Sequence, residues 1–265
     1  MDIRVVVTGT GVVSPVGNRV SQYWDALCAG RSGIRHVPFE TETASKIAGM
    51  AEDVHPEGID EKEQRRYGRY TPFAIEATDQ ALHQSGLDMA REDPFRCGVY
   101  IGSGIGGIDE IYDNTIAMHE RGPRRVSPLF LPKGLINMAP GVVAIRHGLQ
   151  GPNQAIVTAC AAGTQSLGAA FEAIRAGRAD VMIAGGTEST ILPFGLAGFG
   201  AMRALSTRND APEKASRPFD SDRDGFVMSE GAGIFVLESE EHARRRGAAI
   251  LGEIAGFGET CDAYH

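Results

Sequence analysis

Short β-branched runs recur along the 265-residue chain, and segments with a 3.6-residue apolar period lie between them. The clearest runs are Ile3–Thr8, Cys97–Ile101, Ala155–Thr158, Val181–Ala184 and Gly233–Leu237. They are nearly all apolar rather than alternating, as expected of strands buried on both faces. Helical spacing is clearest over residues 64–85, 134–147 and 162–176. Strands alternating with helices predict an α/β fold, a mostly parallel or mixed sheet covered by helices. Residues 36–63 and 206–222 read as polar surface connections. The segment 110–140 carries Pro123, Pro128, Pro132 and Pro140. It predicts an irregular excursion of the kind that caps a pocket or a subunit interface.

A weak internal echo joins the two ends of the sequence. Asp2–Gly11 reads as a strand closing on Gly-x-Gly, and Ala249–Gly258 has the same outline. It fits a duplicated architecture with one unit over 1–248 and the first strand of a truncated second unit over 249–265.

Composition then removes several classes of function. No apolar run approaches the roughly 20 residues needed to span a bilayer. The start has neither a basic region nor a long apolar core, so no export signal is visible. Four cysteines, at 28, 97, 160 and 261, form no CxxC pair and no metal-like spacing with histidine. That predicts free thiols in a reducing cytoplasm and no bound metal. A formal net charge of −8 argues against a nucleic-acid binder. It would also repel an acidic protein partner unless a local basic patch overrides the global field.

The strongest chemical signal is Ala155-Ile-Val-Thr-Ala-Cys160-Ala-Ala-Gly163. An apolar strand is expected to end at Cys160 and to lead through small residues into a helix. Leu167, Ala170, Phe171 and Ile174 give that helix one buried face, and Gly177 is its expected stop. A sulfur at a helix N-terminus sits beside unsatisfied N–H groups, which favour the thiolate. The alternative is a buried structural cysteine, the common fate of a free thiol.

Two further patterns invite chemistry they do not support. Gly102–Gly107 fits GxGxxG after a strand, but no second strand ending in an acid follows about 20 residues on. Asp220-Ser-Asp222-Arg-Asp224-Gly225 imitates the start of a calcium loop, yet Gly231 stands where the bidentate glutamate belongs.

Val157–Gly163 resembles the active-site signature of elongating β-ketoacyl-acyl-carrier-protein synthases. Val6–Gly17, Ile101–Gly107, Ala184–Glu188, Phe199–Ser206, Arg217–Val227 and Glu230–Gly233 match the family in order and rough spacing. The resemblance implies a thiolase-like fold of two similar α/β halves, each with a mixed five-stranded sheet, usually paired as a homodimer. It also implies decarboxylative condensation of malonyl-acyl-carrier protein with an acyl thioester on Cys160, in fatty acid elongation and without a cofactor. Ile105, Phe130, Ala159, Gly195, Phe199 and Phe226 would border the acyl site, and His265 its entrance. Lys62, Arg65, Arg66 and Arg69 fall at i, i+3, i+4 and i+7, so one helix would gather four cations on a face. With Arg124, Arg125 and Arg203 they resemble the family's docking surface for acyl carrier protein. The family's catalytic histidines and lysine lie in its second half and have no match here. The expectation is therefore an N-terminal half that cannot condense alone. A polyketide ketosynthase, a thiolase and a carrier-binding half-protein without turnover remain the alternatives.

Overall fold

The computed structural model describes residues 3–264. Among them are strands β1 (Val5–Val13), β2 (Ile34–His36), β3 (Ile47–Gly49), β4 (Cys97–Gly102), β5 (Asn153–Gln154), β6 (Val181–Glu188), β7 (Gly231–Ser239) and β8 (Gly252–Ile254). The helices are α1 (Val20–Cys28), α2 (Glu61–Gln64), α3 (Tyr70–Ser85), α4 (Ile108–Arg121), α5 (Phe130–Gly134), α6 (Met138–His147), α7 (Ala162–Arg175), α8 (Pro193–Ala201) and α9 (Glu240–Arg245). The main sheet runs β5-β4-β6-β7-β1-β8, while β2 and β3 pair separately. Strands β5, β4 and β6 are parallel, and β7 is antiparallel to both β6 and β1. The sheet is mixed as expected, but it has six strands rather than five. The extra one is β8, which adds to the edge of β1 by pairing Val5–Val7 with Gly252–Ile254.

The two-sided burial of the strands is visible side chain by side chain. Val99, Ile101, Val181, Ile183, Ile234 and Val236 pack with residues of α3 and α6 on one face. Tyr100, Met182, Ala184 and Leu237 face the other way, onto Ala170, Phe171, Ala173 and Ile174 of α7. A strand with helices on both sides has no face to leave polar. Gly177 takes φ +69 just past α7 and stops it where the sequence predicts.

Three expectations change. The helical pattern over 64–85 divides, with α2 ending at Gln64 and α3 starting at Tyr70. Pro72 explains the division: within a continuous helix its ring would press on the carbonyl of Gly68, whereas the first turn of α3 tolerates it. The segment 110–140 is not irregular but mainly helical, in α4, α5 and the start of α6. Its prolines fall in connections or, like Pro132 and Pro140, in first turns. Finally, Ala155–Thr158 forms no ladder; only Asn153 and Gln154 pair with β4.

Where β7 runs into α9, the sheet ends in buried charge. The Glu238 side chain is 0% exposed and meets Arg246 Nη2 at 2.6 Å and His242 Nδ1 at 2.6 Å. Thr8 Oγ1 also donates to it, and the other ring nitrogen of His242 lies 2.8 Å from Glu92. Burial pushes the Glu238 carboxyl up, but hydrogen bonds from Arg246, His242 and Thr8 outweigh it and bring the pKa to about 2. The hydrogen bond to Glu238 raises His242 above its ordinary value, against the effect of burial, with Glu92 adding to the rise. No helix among the described residues is long and apolar enough to cross a membrane.

Candidate active site

The chain leaves β5 at Gln154 and approaches the carboxyl end of β4 without joining its ladder. There Gly102 is indispensable: a Cβ on it would lie 2.5 Å from the Ala162 carbonyl oxygen and 2.7 Å from that of Ile156. Ala159 then takes φ +49, a left-handed conformation that costs a residue with a Cβ about 1–2 kcal/mol. Ala159–Ala161 form one 3-10 turn that runs straight into α7. Cys160 sits in this turn and is exposed, which removes the alternative of a buried structural thiol. The N-cap of α7 is Ala161, and no side chain caps the helix. Its first-turn N–H groups therefore meet no capping side chain. Gly163 and Gly186 meet backbone to backbone, so the helix start rests directly on β6.

Cys160 opens on a cavity of about 630 Å³. Four of the expected site residues line it with the thiol: Ile105, Ala159, Phe199 and Phe226. The rings of Phe199 and Phe226 meet edge to face, with centroids 5.4 Å apart. Phe226 owes its place to Asp224, which accepts hydrogen bonds from Ser206, from the Thr207 backbone and from Arg217. This is the loop that imitates a calcium site. Gly195 stands behind the wall rather than in it, against the carbonyl of Thr190 and the tip of Met228, both of which line the cavity. Phe130 opens α5 and is not part of the lining. His265 lies outside the described residues. No histidine among the described residues lines the cavity.

Two acids of the site lie within the matched segments without being singled out by the sequence. Glu188, at the end of β6, accepts hydrogen bonds from Ser103 Oγ at 3.0 Å and from the Gly104 N–H at 2.7 Å. Its only local signal is a single acid after four small or hydroxylated residues. Glu230, also in the lining, pairs with Arg69 at 2.9 Å.

That pair corrects the cationic stripe. Because the helix breaks before α3, Arg69 turns inward to Glu230, Asp53 and the Ala51 carbonyl, and stacks over Phe73 at 4.9 Å. Lys62, Arg65 and Arg66 remain exposed, with Arg65 reaching Glu61 at 3.4 Å. Arg124 and Arg125 are exposed on a 3-10 turn that packs on α4. Arg203 is exposed just beyond α8, whose Phe194 stacks on Tyr112 of α4 at 5.2 Å. Gly68 abuts the Lys133 carbonyl of α5, and α5 packs on α4. The α2–α3 link and the Arg124–Arg125 turn are thus joined through these two helices.

Known proteins share this arrangement. The family model "Beta-ketoacyl synthase, N-terminal domain" matches residues 2–243. The 3-oxoacyl-[acyl-carrier-protein] synthase 2 of Vibrio cholerae is 51% identical over 265 residues, which is 99% of this chain and 64% of that protein. Its Staphylococcus aureus counterpart is 49% identical over 268 residues, again 99% and 64%. Among solved structures, a type II polyketide ketosynthase complex with its acyl-carrier protein, bound to a hexaketide, gives TM-score 0.90 at 34% identity. It covers 100% of this chain and 65% of that one. A β-ketoacyl synthase from Burkholderia phymatum gives TM-score 0.88 at 35% identity, covering 99% and 65%. The chain thus spans a little under two thirds of the relatives it matches. With its thiolase-like α/β sheet and its cysteine at the head of α7, it belongs to the β-ketoacyl synthase family, in the part described by the N-terminal domain.

Proposed function

We propose that this chain supplies the nucleophile and acyl cavity of a fatty-acid-elongating β-ketoacyl-acyl-carrier-protein synthase. The observation that carries the reading is Cys160, exposed in a strained turn at the head of α7 and open to an apolar-walled cavity. In the first half-reaction the Cys160 thiolate attacks an acyl-carrier thioester. A new C–S bond forms at the carbonyl, the carrier's thiolate leaves, and the Cys160 N–H faces the developing oxyanion. In the second, malonyl-carrier protein loses carbon dioxide and its carbanion attacks the Cys160 thioester. A C–C bond forms and the Cys160 thiolate is released.

The carrier docks through Lys62, Arg65, Arg66, Arg124, Arg125 and Arg203, with Arg69 buttressing from inside. The polypeptide up to 248 forms the nucleophile-bearing unit, and the segment from 249 begins the next. The four free thiols fit a reducing cytoplasm. A homodimer would cover the exposed edge at Val157 and the apolar tops of α4 and α5, where Met118 and Leu131 are bare. Fatty-acid duty is preferred to polyketide duty because the named synthase 2 relatives reach 51% identity, against 34% for the polyketide ketosynthase.

Because no histidine lines the cavity among the described residues, acyl transfer and condensation should separate in this polypeptide. Incubated with an acyl-carrier thioester, the 265-residue chain should gain one acyl mass on Cys160, and Cys160→Ala should gain none. Added malonyl-carrier protein should yield no β-ketoacyl product. An unacylated wild-type chain would sink the reading, and product formation would sink the division of labour.

A further inference from the structure

We propose that Glu188 is a positioning residue that fixes one wall of the acyl cavity and thereby sets its discrimination between chain lengths. The inference deepens the reading above and rests on Cys160 carrying the acyl group. The wall in question is the turn Ser103–Gly107 between β4 and α4, which carries Ile105 into the cavity. This turn takes none of its key hydrogen bonds from a strand ladder. Glu188 Oε2 accepts from the N–H of Gly104 at 2.7 Å and of Ile105 at 3.3 Å, while Oε1 accepts from Ser103 Oγ at 3.0 Å. Ser103 Oγ in turn accepts from the Gly106 N–H at 3.0 Å. One carboxylate and one hydroxyl therefore hold three of the turn's amides.

The anchor is held because Glu188 is the last rung of the β6–β7 ladder, opposite Gly231, and β6 is also paired with β4 as far as Gly186. Ser103 is 2% exposed, so water does not readily replace the network. No ion pair to Glu188 is found among the described residues; its partners are the turn itself. The same atoms bracket the nucleophile. A Cβ on Gly104 would lie 2.8 Å from Glu188 Oε2 and 3.4 Å from the carbonyl oxygen of Ala159, the residue before Cys160. A shift of the turn therefore alters the cavity within a few ångströms of the thioester.

Without the carboxylate, two backbone amides and a hydroxyl lose their acceptor, and the turn must seek other partners. Ile105 then no longer offers one fixed surface to an acyl chain. The loss falls on chain-length selection, since Glu188 does not touch the reacting sulfur.

The test compares two alkylating reagents on Cys160, iodoacetamide and N-octyl iodoacetamide, by the ratio of their rates. The ratio cancels any general change in thiol reactivity. In the wild-type chain the octyl reagent should react faster; in Glu188→Ala the ratio should fall at least fivefold. Glu188→Gln, which keeps one acceptor oxygen, should fall between. Ser103→Ala, which leaves the carboxylate in place, should lower the ratio about twofold and covers the case in which Glu188→Ala does not fold. An unchanged ratio in a folded Glu188 or Ser103 variant overturns the proposal, even if the melting temperature drops. Failure of the wild-type chain to take an acyl group from carrier thioester would instead count against the thioester reading, because the alkylation ratio needs no carrier.

Discussion

Strands β6 and β7 have two ends that are built in opposite ways. At the cavity end they present Gly186, Gly231 and Gly233, so that backbone replaces side chain and room is left beside Cys160. At the far end β6 begins next to Asp180, bonded to Arg96 at 2.9 Å, and β7 closes on the buried Glu238 cluster. One end gives up packing to make space and to hold a strained turn. The other is tied by charge. The comparison separates residues whose loss should be felt in chemistry from those whose loss should be felt in stability.

The sharpest way to break this contrast is Glu238→Ala. It would leave His242 and Arg246 facing a buried void, and losing one partner of such a cluster costs about 3–5 kcal/mol. Urea unfolding should show that loss, while the folded variant still alkylates at Cys160. Equal destabilisation by Cys160→Ala would erase the distinction between the ends.

A smaller effect follows from pH. Glu238 is held at about 2, below its ordinary 4.5, so its contribution is full above about 4.5 and fades as pH falls toward 2. His242 is raised above 6.5, so its contribution is full below 6.5 and is lost as pH rises through the raised value. The cluster should therefore be strongest between about pH 4.5 and 6.5. His242→Gln should cost about 1.5–3 kcal/mol in that window, the range for hydrogen bonds to charged groups. It should cost less at alkaline pH, as read by denaturation at pH 5.5 and 9. A constant difference across pH would refute the assignment.

The smallest effect tests the glycine end. In Gly186→Ala the new Cβ would stand 2.9 Å from the Cα of Gly163, which forces a shift costing about 1–3 kcal/mol. The reverse change, Gly163→Ala, finds 3.4 Å and should stay within about 1 kcal/mol, helped by better helix propensity. Thermal melts of the two variants should differ in that order.

How much of this is legible in the sequence depends on the distance between partners. The helix start at Cys160 is written in one short run of small residues and is found where expected, because it is a local event, whereas the strand expected to end there stops at Gln154. The strain at Ala159 is not written, since alanine carries no mark of a left-handed conformation. Helical spacing puts Arg69 on a surface; Pro72, three residues on, holds the correction, but the Glu230 that accepts from Arg69 lies far along the chain. Glu188 and Ser103 likewise meet only because β4 and β6 are neighbours in the sheet. The apolar run Ala155–Thr158 has strand composition, yet at the sheet's edge composition alone does not make a ladder.

The register of β1 has a consequence for how the protein is made. Val5 pairs with Ser239 on one side and Ile254 on the other, so during synthesis strand β1 has to wait for partners that lie far along the chain. At synthesis rates of about 5–20 residues per second, that strand waits roughly 10–50 seconds. Through that interval Val5-Val-Val-Thr-Gly-Thr-Gly-Val-Val13 is an unpaired apolar β segment, a form prone to self-association. Closing β1 between β7 and β8 is thus a long-range step of folding, and a chaperone that shields the nascent β1 should raise the yield of folded chain.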